Sequence, residues 1–115
     1  LGHYHDISRS TAEGTKELRE LIPDSYAGFR EMHKAAFTDG ALSPAVKELM
    51  AVAIAVSDGC EGCIAAHARG AARLGATDEQ YAEMLSVTIL MNGGPGTIYA
   101  PKAWEAVQEF KERYS

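Results

Sequence analysis

Residues 48–80 read ELMAVAIAVSDGCEGCIAAHARGAARLGATDEQ. After Glu48 no charge appears until Asp58. A helix over about 44–56 is therefore apolar all round, which suits a central core helix or one covered by neighbouring subunits. The polar break SDG at 57–59 ends it. Asp58, with Glu61 three residues later, predicts a capping box that opens a helix over about 59–74, which Gly75 stops. Thr77 and Gln80 predict a second capping box for a helix over about 78–91. The short turn at 57–59 favours an antiparallel pair of helices on its two sides.

The same signals extend outward. Ser43 is a good N-cap and Pro44 suits a first helical turn. Before them, TDGALSP (38–44) closes a helix over about 24–38 that carries Tyr26, Phe29, Met32, His33, Ala36 and Phe37 at three- and four-residue spacing. IPDS (22–25) separates it from a first helix over about 10–21, weakened by Gly14. Residues 1–9, LGHYHDISR, lack a clear period and read as an N-terminal arm, with His3 and His5 in a flexible tail. NGGPG (92–96) is a hard break before a last amphipathic helix over about 98–113, bearing Ala103, Trp104, Val107 and Phe110. No stretch alternates with a period of two between hairpin signals. The expected fold is all-α: a bundle of about six helices in one domain over 10–115, after the arm.

The 115 residues suffice for a core without disulfides or metal. Apolar content is 46%, charged content 23% and net charge −5, with no Lys/Arg run, so nucleic acid and anionic membranes are poor partners. The longest apolar run, LMAVAIAV (49–56), is too short to span a bilayer. Two cysteines do not make a secreted disulfide scaffold, and the first residues carry no secretory-leader pattern. The cytoplasm is the expected location, with thiols reduced at rest.

The chemistry concentrates at Cys60, Cys63 and His67. On a continuous helix these three share a sector about 60° wide. A thiolate at a helix start is stabilised by the dipole, and His67, one turn beyond Cys63, can take the thiol proton. Cysteines at this spacing can close a disulfide, one thiol attacking and the other resolving. Gly70 and Ala71 are small residues near the same sector, leaving room for a helix or a substrate. Glu48 sits on an apolar stripe with Ala51, Val52 and Ala55, which is costly for a carboxylate without a partner or a task. Antiparallel pairing would face it toward His67, a Glu–His–Cys proton relay.

Blander readings stand beside these. Free cysteines are small buried hydrophobes. Glu48 also suits an exposed first turn, and His67 alone suits a satisfied core histidine. Tyr26, Phe29, Phe37, Tyr81, Tyr99 and Trp104 read as core. Zinc is a further alternative: Cys60, Cys63 and His67 supply three ligands, with Glu48, His3, His5 or His33 as a fourth, although no second cysteine pair exists. Residues alone leave redox chemistry, zinc and packing open.

The stretch 48–80 resembles the alkylhydroperoxidase D-like branch of the carboxymuconolactone decarboxylase superfamily. The match is Glu48, then twelve residues to Cys60, then Cys63, His67 and the Gly75 helix end. The layout is similar from about 22 to 110, including LSPAVKEL (42–49) and GGPGTIYA (93–100). The resemblance implies an all-α fold with the CxxC at a helix start, assembled as a trimer or hexamer. It implies peroxide as substrate and a disulfide-type reductant, a lipoylated protein in some members, with no bound cofactor. It makes Cys63 the attacking thiol, Cys60 the resolving one, and Glu48 and His67 the relay. Members often carry an aromatic residue or histidine before the second cysteine; here Gly62 stands there, which is expected to open the site. The decarboxylases proper lack the cysteine pair, so thiol chemistry is expected over lactone decarboxylation.

Overall fold

The computed structural model describes residues 2–114, with side chains through 113. Six helices follow in order: α1 (His3–Leu21), α2 (Pro23–Ala36), α3 (Pro44–Asp58), α4 (Glu61–Arg73), α5 (Asp78–Asn92) and α6 (Gly94–Tyr114). No strand occurs among the described residues, so the fold is all-α.

The local signals hold where a cap lies within a few residues. Ser43 accepts from the Val46 N–H at 3.2 Å, with Pro44 in the first turn of α3. Thr77 and Gln80 cap α5 reciprocally. The break before α6 falls at Gly93, whose φ of 67° is open to glycine, and the helix then begins at Gly94 rather than near 98. Gly96 lets α6 start close against α5: a Cβ there would stand 3.1 Å from the Ile89 Cα.

Other expectations are corrected, the first at the N-terminus. The supposed arm over 1–9 is helix from His3 onward. Gly2, its N-cap, has no side chain to satisfy the free N–H groups of the first turn. Glu109 of α6 does so instead, accepting from the Tyr4 N–H at 3.2 Å, from the His5 N–H at 2.7 Å, and pairing with His5 Nδ1. His5 is therefore not a flexible tail. Tyr4 is buried, and that burial, with Glu105, Glu61 and Glu109 nearby, pushes its phenol up to about 12.

The second correction concerns Asp58. It does not cap α4; it ends α3. Gly59 adopts a left-handed φ of 63° and returns its N–H to the end of α3, so the chain turns only after it. Cys60 is then the N-cap of α4, its Sγ accepting from the Cys63 N–H at 3.2 Å. The helix-wheel sector drawn through Cys60 thus applies only from Cys63 to His67.

The central helix is α4, packed against α1, α3 and α6. Its buried residues are Ile64, Ala65, Ala68, Gly70, Ala71 and Ala72, and small side chains let three helices approach. Tyr81 of α5 is fully buried and donates its hydroxyl to the Ala103 carbonyl of α6 at 2.7 Å. Helix α3 is not surrounded: Val52, Ala55 and Val56 face inward, while Met50 and Ile54 are exposed. Within one chain the central-core reading of α3 fails. Phe29, expected in the core, is also exposed on α2, which has no fully buried residue. No helix among the described residues is long and apolar enough to cross a membrane.

Candidate active site

Helices α3 and α4 pack side by side around the two-residue turn Gly59–Cys60. That pairing brings Glu48, in the second turn of α3, against His67 in the middle of α4. Glu48 Oε2 lies 3.0 Å from His67 Nδ1. The carboxylate is 5% exposed and His67 is half-buried, so the pair sits where a lone charge would be costly. An ionised carboxylate can only accept, so Nδ1 is the donor of this bond, and in the neutral imidazole that tautomer leaves the lone pair on Nε2.

Glu48 fits because Gly70, one turn beyond His67, has no side chain. A Cβ on Gly70 would stand 2.4–2.8 Å from the carboxylate atoms. The space left by this small residue is filled by the Glu48 side chain itself.

Cys60 and Cys63 form a disulfide. Cys60 is half-buried and Cys63 is exposed. Cys63 shares a pocket of about 210 Å³ with His67, floored by Ala51, Ile54 and Ala55 and edged by Asp58. Cys60 does not line it. The two cysteines therefore differ in environment: Cys63 shares a pocket with His67, whereas the Cys60 sulfur accepts from the Cys63 N–H at the start of α4.

Gly62 lies elsewhere. It faces α1, where a Cβ would come within 3.9 Å of Thr11 Oγ1. It lines a separate groove of about 280 Å³ with Ser8, Thr11, Ala12, Ala66 and Arg69. The opening left by this glycine is thus on the α1 side, away from the His67 pocket.

Two residues that spacing did not single out for the site complete its surroundings. From the end of α2, the Phe37 ring lies 5.7 Å from the His67 ring at 10°, and the His33 ring 6.2 Å at 14°. The sequence offers His33 as a possible fourth zinc ligand and Phe37 as a core residue, but it does not place either ring beside His67; a contact between helices so far apart in sequence leaves no local signal. His3 is drawn instead to Glu61, at 3.6 Å, with Lys102 on the other Glu61 oxygen at 3.3 Å. Among the described residues no group of three or more His, Cys, Asp or Glu side chains is arranged to hold a metal ion.

Known proteins resemble this chain in sequence and in fold. A protein of Cupriavidus necator, described as uncharacterized, is 51% identical over 75% of this chain and 76% of its own length. A protein of the cox locus of Paracoccus denitrificans, likewise uncharacterized, is 41% identical over 70% of this chain and 73% of its own. The crystal structure of an apo carboxymuconolactone decarboxylase family protein from Legionella pneumophila superposes with a TM-score of 0.92, at 37% identity, covering 94% of this chain and 96% of that one. The sequence model of the carboxymuconolactone decarboxylase family matches residues 23–106. The chain belongs to the carboxymuconolactone decarboxylase family, and its Cys60–Cys63 pair accords with the alkylhydroperoxidase D-like branch.

Proposed function

We propose that this protein is a thiol-dependent peroxidase that cycles Cys60 and Cys63 between dithiol and disulfide. One observation carries the reading. A buried Glu48 holds Nδ1 of His67, and His67 lines the same pocket as the exposed Cys63.

In the reduced protein, His67 Nε2 takes the proton of the Cys63 thiol, and Glu48 stabilises the resulting imidazolium. The Cys63 thiolate attacks the terminal oxygen of a hydroperoxide. The O–O bond breaks, the alkoxide leaves with the proton from His67, and Cys63 becomes a sulfenic acid. His67, neutral again, takes the proton of the Cys60 thiol, and the Cys60 thiolate, stabilised as N-cap of α4, attacks the Cys63 sulfur. The S–O bond breaks, the departing hydroxide takes that proton from His67 and leaves as water, and the disulfide closes.

Reduction reverses the roles of the two sulfurs. A dithiol reductant, of protein or lipoyl type, attacks the exposed Cys63 sulfur. Cys60 departs as a thiolate into the hydrogen bond from the Cys63 N–H. The second thiol of the reductant resolves the mixed disulfide and restores the Cys63 thiol. The dipole at the helix start and the family assignment are thus compatible: the dipole serves Cys60 as leaving group and resolving thiolate, and His67 serves Cys63. Such a cycle suits a compartment that keeps dithiols reduced, such as the cytoplasm.

The exposed apolar side chains of α2, α3 and α5 support assembly as a homo-oligomer. Hydroperoxide turnover, assayed with several dithiol reductants beside Cys63→Ser and Cys60→Ser, tests the function. Turnover lost in both variants is expected. A Cys63→Ser protein with full activity, or a wild-type protein inert with every reductant, sinks the reading.

A further inference from the structure

The backbone of helix α2 comes close to α1 alone among the helices. Its far end nonetheless returns to the redox site. Lys47 of α3 ties down the loop after it, donating to the Thr38 carbonyl at 2.6 Å. There His33 and Phe37, one turn apart, stack on each other with centroids 4.6 Å apart at 20°. The His67 ring is nearly parallel to both, at 10° to Phe37 and 14° to His33. All three separations lie within the range at which aromatic rings attract one another. The Glu48 bond by itself leaves the imidazole free to swing about that contact. A ring stack along one face removes that freedom.

We propose that His33 and Phe37 are positioning residues, whose stacked rings fix the plane of His67 so that Nδ1 stays on Glu48 and Nε2 stays turned to the Cys63 pocket. The inference rests on the Glu48–His67–Cys63 relay of the proposed function. His33 acts here as a flat ring and not as a proton carrier. The titratable groups around His67 are Glu48 and Asp58 of α3, His33 of α2 and Cys63 of α4 itself.

The test uses the full chain with Phe37→Ala, His33→Ala and His33→Phe. Nitrogen NMR of the labelled His67 ring reads its tautomer without reference to activity. Single-turnover oxidation of the reduced dithiol by cumene hydroperoxide reads the chemistry. Phe37→Ala and His33→Ala are expected to shift His67 from one tautomer toward a mixture and to slow thiol oxidation about three- to tenfold. His33→Phe keeps the ring and is expected to retain the wild-type tautomer and rate. A His67 spectrum unchanged in both alanine variants overturns the proposal, as does a His33→Phe protein that behaves like His33→Ala. If wild type fails to react with peroxide, the proposed function fails, while the tautomer measurement still decides the positioning role.

Discussion

A methyl group on Gly70 would stand 2.4 Å from Oε2 of Glu48. The two residues belong to different helices, and the absence of one side chain makes the site for the other. Because the carboxylate is the far end of a flexible chain, it can retreat from such a methyl, but only by leaving His67. Gly70→Ala is therefore expected to act as a partial Glu48 knockout. Alanine favours the helix by about 0.5–1 kcal/mol, while losing a charged hydrogen bond costs about 1.5–3 kcal/mol. A net loss of about 1–2 kcal/mol in urea unfolding should accompany slower thiol oxidation, approaching that of Glu48→Gln, for which roughly a tenfold to hundredfold drop is expected. A Gly70→Ala protein with undiminished oxidation would show that the Glu48–His67 contact does not serve the reaction.

The different exposure of the two sulfurs gives a second expectation. Cys63 is exposed and Cys60 is half-buried behind the start of α4. In the oxidised protein a small monothiol should therefore form its mixed disulfide on Cys63, with Cys60 released. Peptide mass spectrometry after acid quenching locates the adduct. Adducts mainly on Cys60 would reverse the assignment of leaving group.

The cap of α4 can be tested apart from redox chemistry. Cys60→Ser keeps an N-cap acceptor, whereas Cys60→Ala removes it, and neither can form the disulfide. The alanine variant is expected to be less stable than the serine variant by about 1 kcal/mol in urea. Equal stabilities would mean that the sulfur contact to the Cys63 N–H contributes nothing to the helix start.

What could be read from sequence divides along a physical line. Ser43, Thr77 and Gln80 bond within three residues of themselves, so the starts of α3 and α5 were legible. The facing of Glu48 and His67 followed from helical spacing on two sides of a short turn. Helix α1 was not legible at its start, because its cap comes from Glu109, more than a hundred residues away. The start of α4 was misplaced because a left-handed Gly59, not Asp58, sets where α3 ends. The rings of His33 and Phe37 reach His67 only through tertiary structure, which no local period encodes.

The distant cap on α1 makes its docking sensitive to acid. Burial raises the Glu109 carboxyl, but hydrogen bonds from His5 and Tyr4, with the His5 charge, outweigh it and hold the group below the ordinary carboxylate range. A carboxyl lowered on folding adds stability that is fully present above its unfolded value, near about 4.3. That contribution fades as pH falls through the lower folded value. Wild-type stability should therefore decline on acidification below about pH 4–5, and Glu109→Gln should show a shallower decline. Parallel pH dependences for the two proteins would remove Glu109 from the acid response.

The apolar surface left by one chain leads to the last expectation. Phe29 is 67% exposed, Met32 72%, Leu90 79% and Met91 78%. Scattered apolar residues are ordinary, but α3 also exposes Met50 and Ile54 along a helix that carries no charge between Glu48 and Asp58. Other copies of the chain are the expected cover. Light scattering should give a mass several times the 12.3 kDa of one chain, and the melting temperature should rise with protein concentration. Leu90→Lys combined with Met91→Lys lies outside the residues that line the Cys63 pocket. If α5 is part of the interface, this pair should lower the mass while leaving the helical circular dichroism intact. A wild-type monomer at tens of micromolar would leave these side chains in water and defeat the assembly reading. An oligomer that ignores the double substitution would move the interface to α2 and α3, beside the rings of His33 and Phe37.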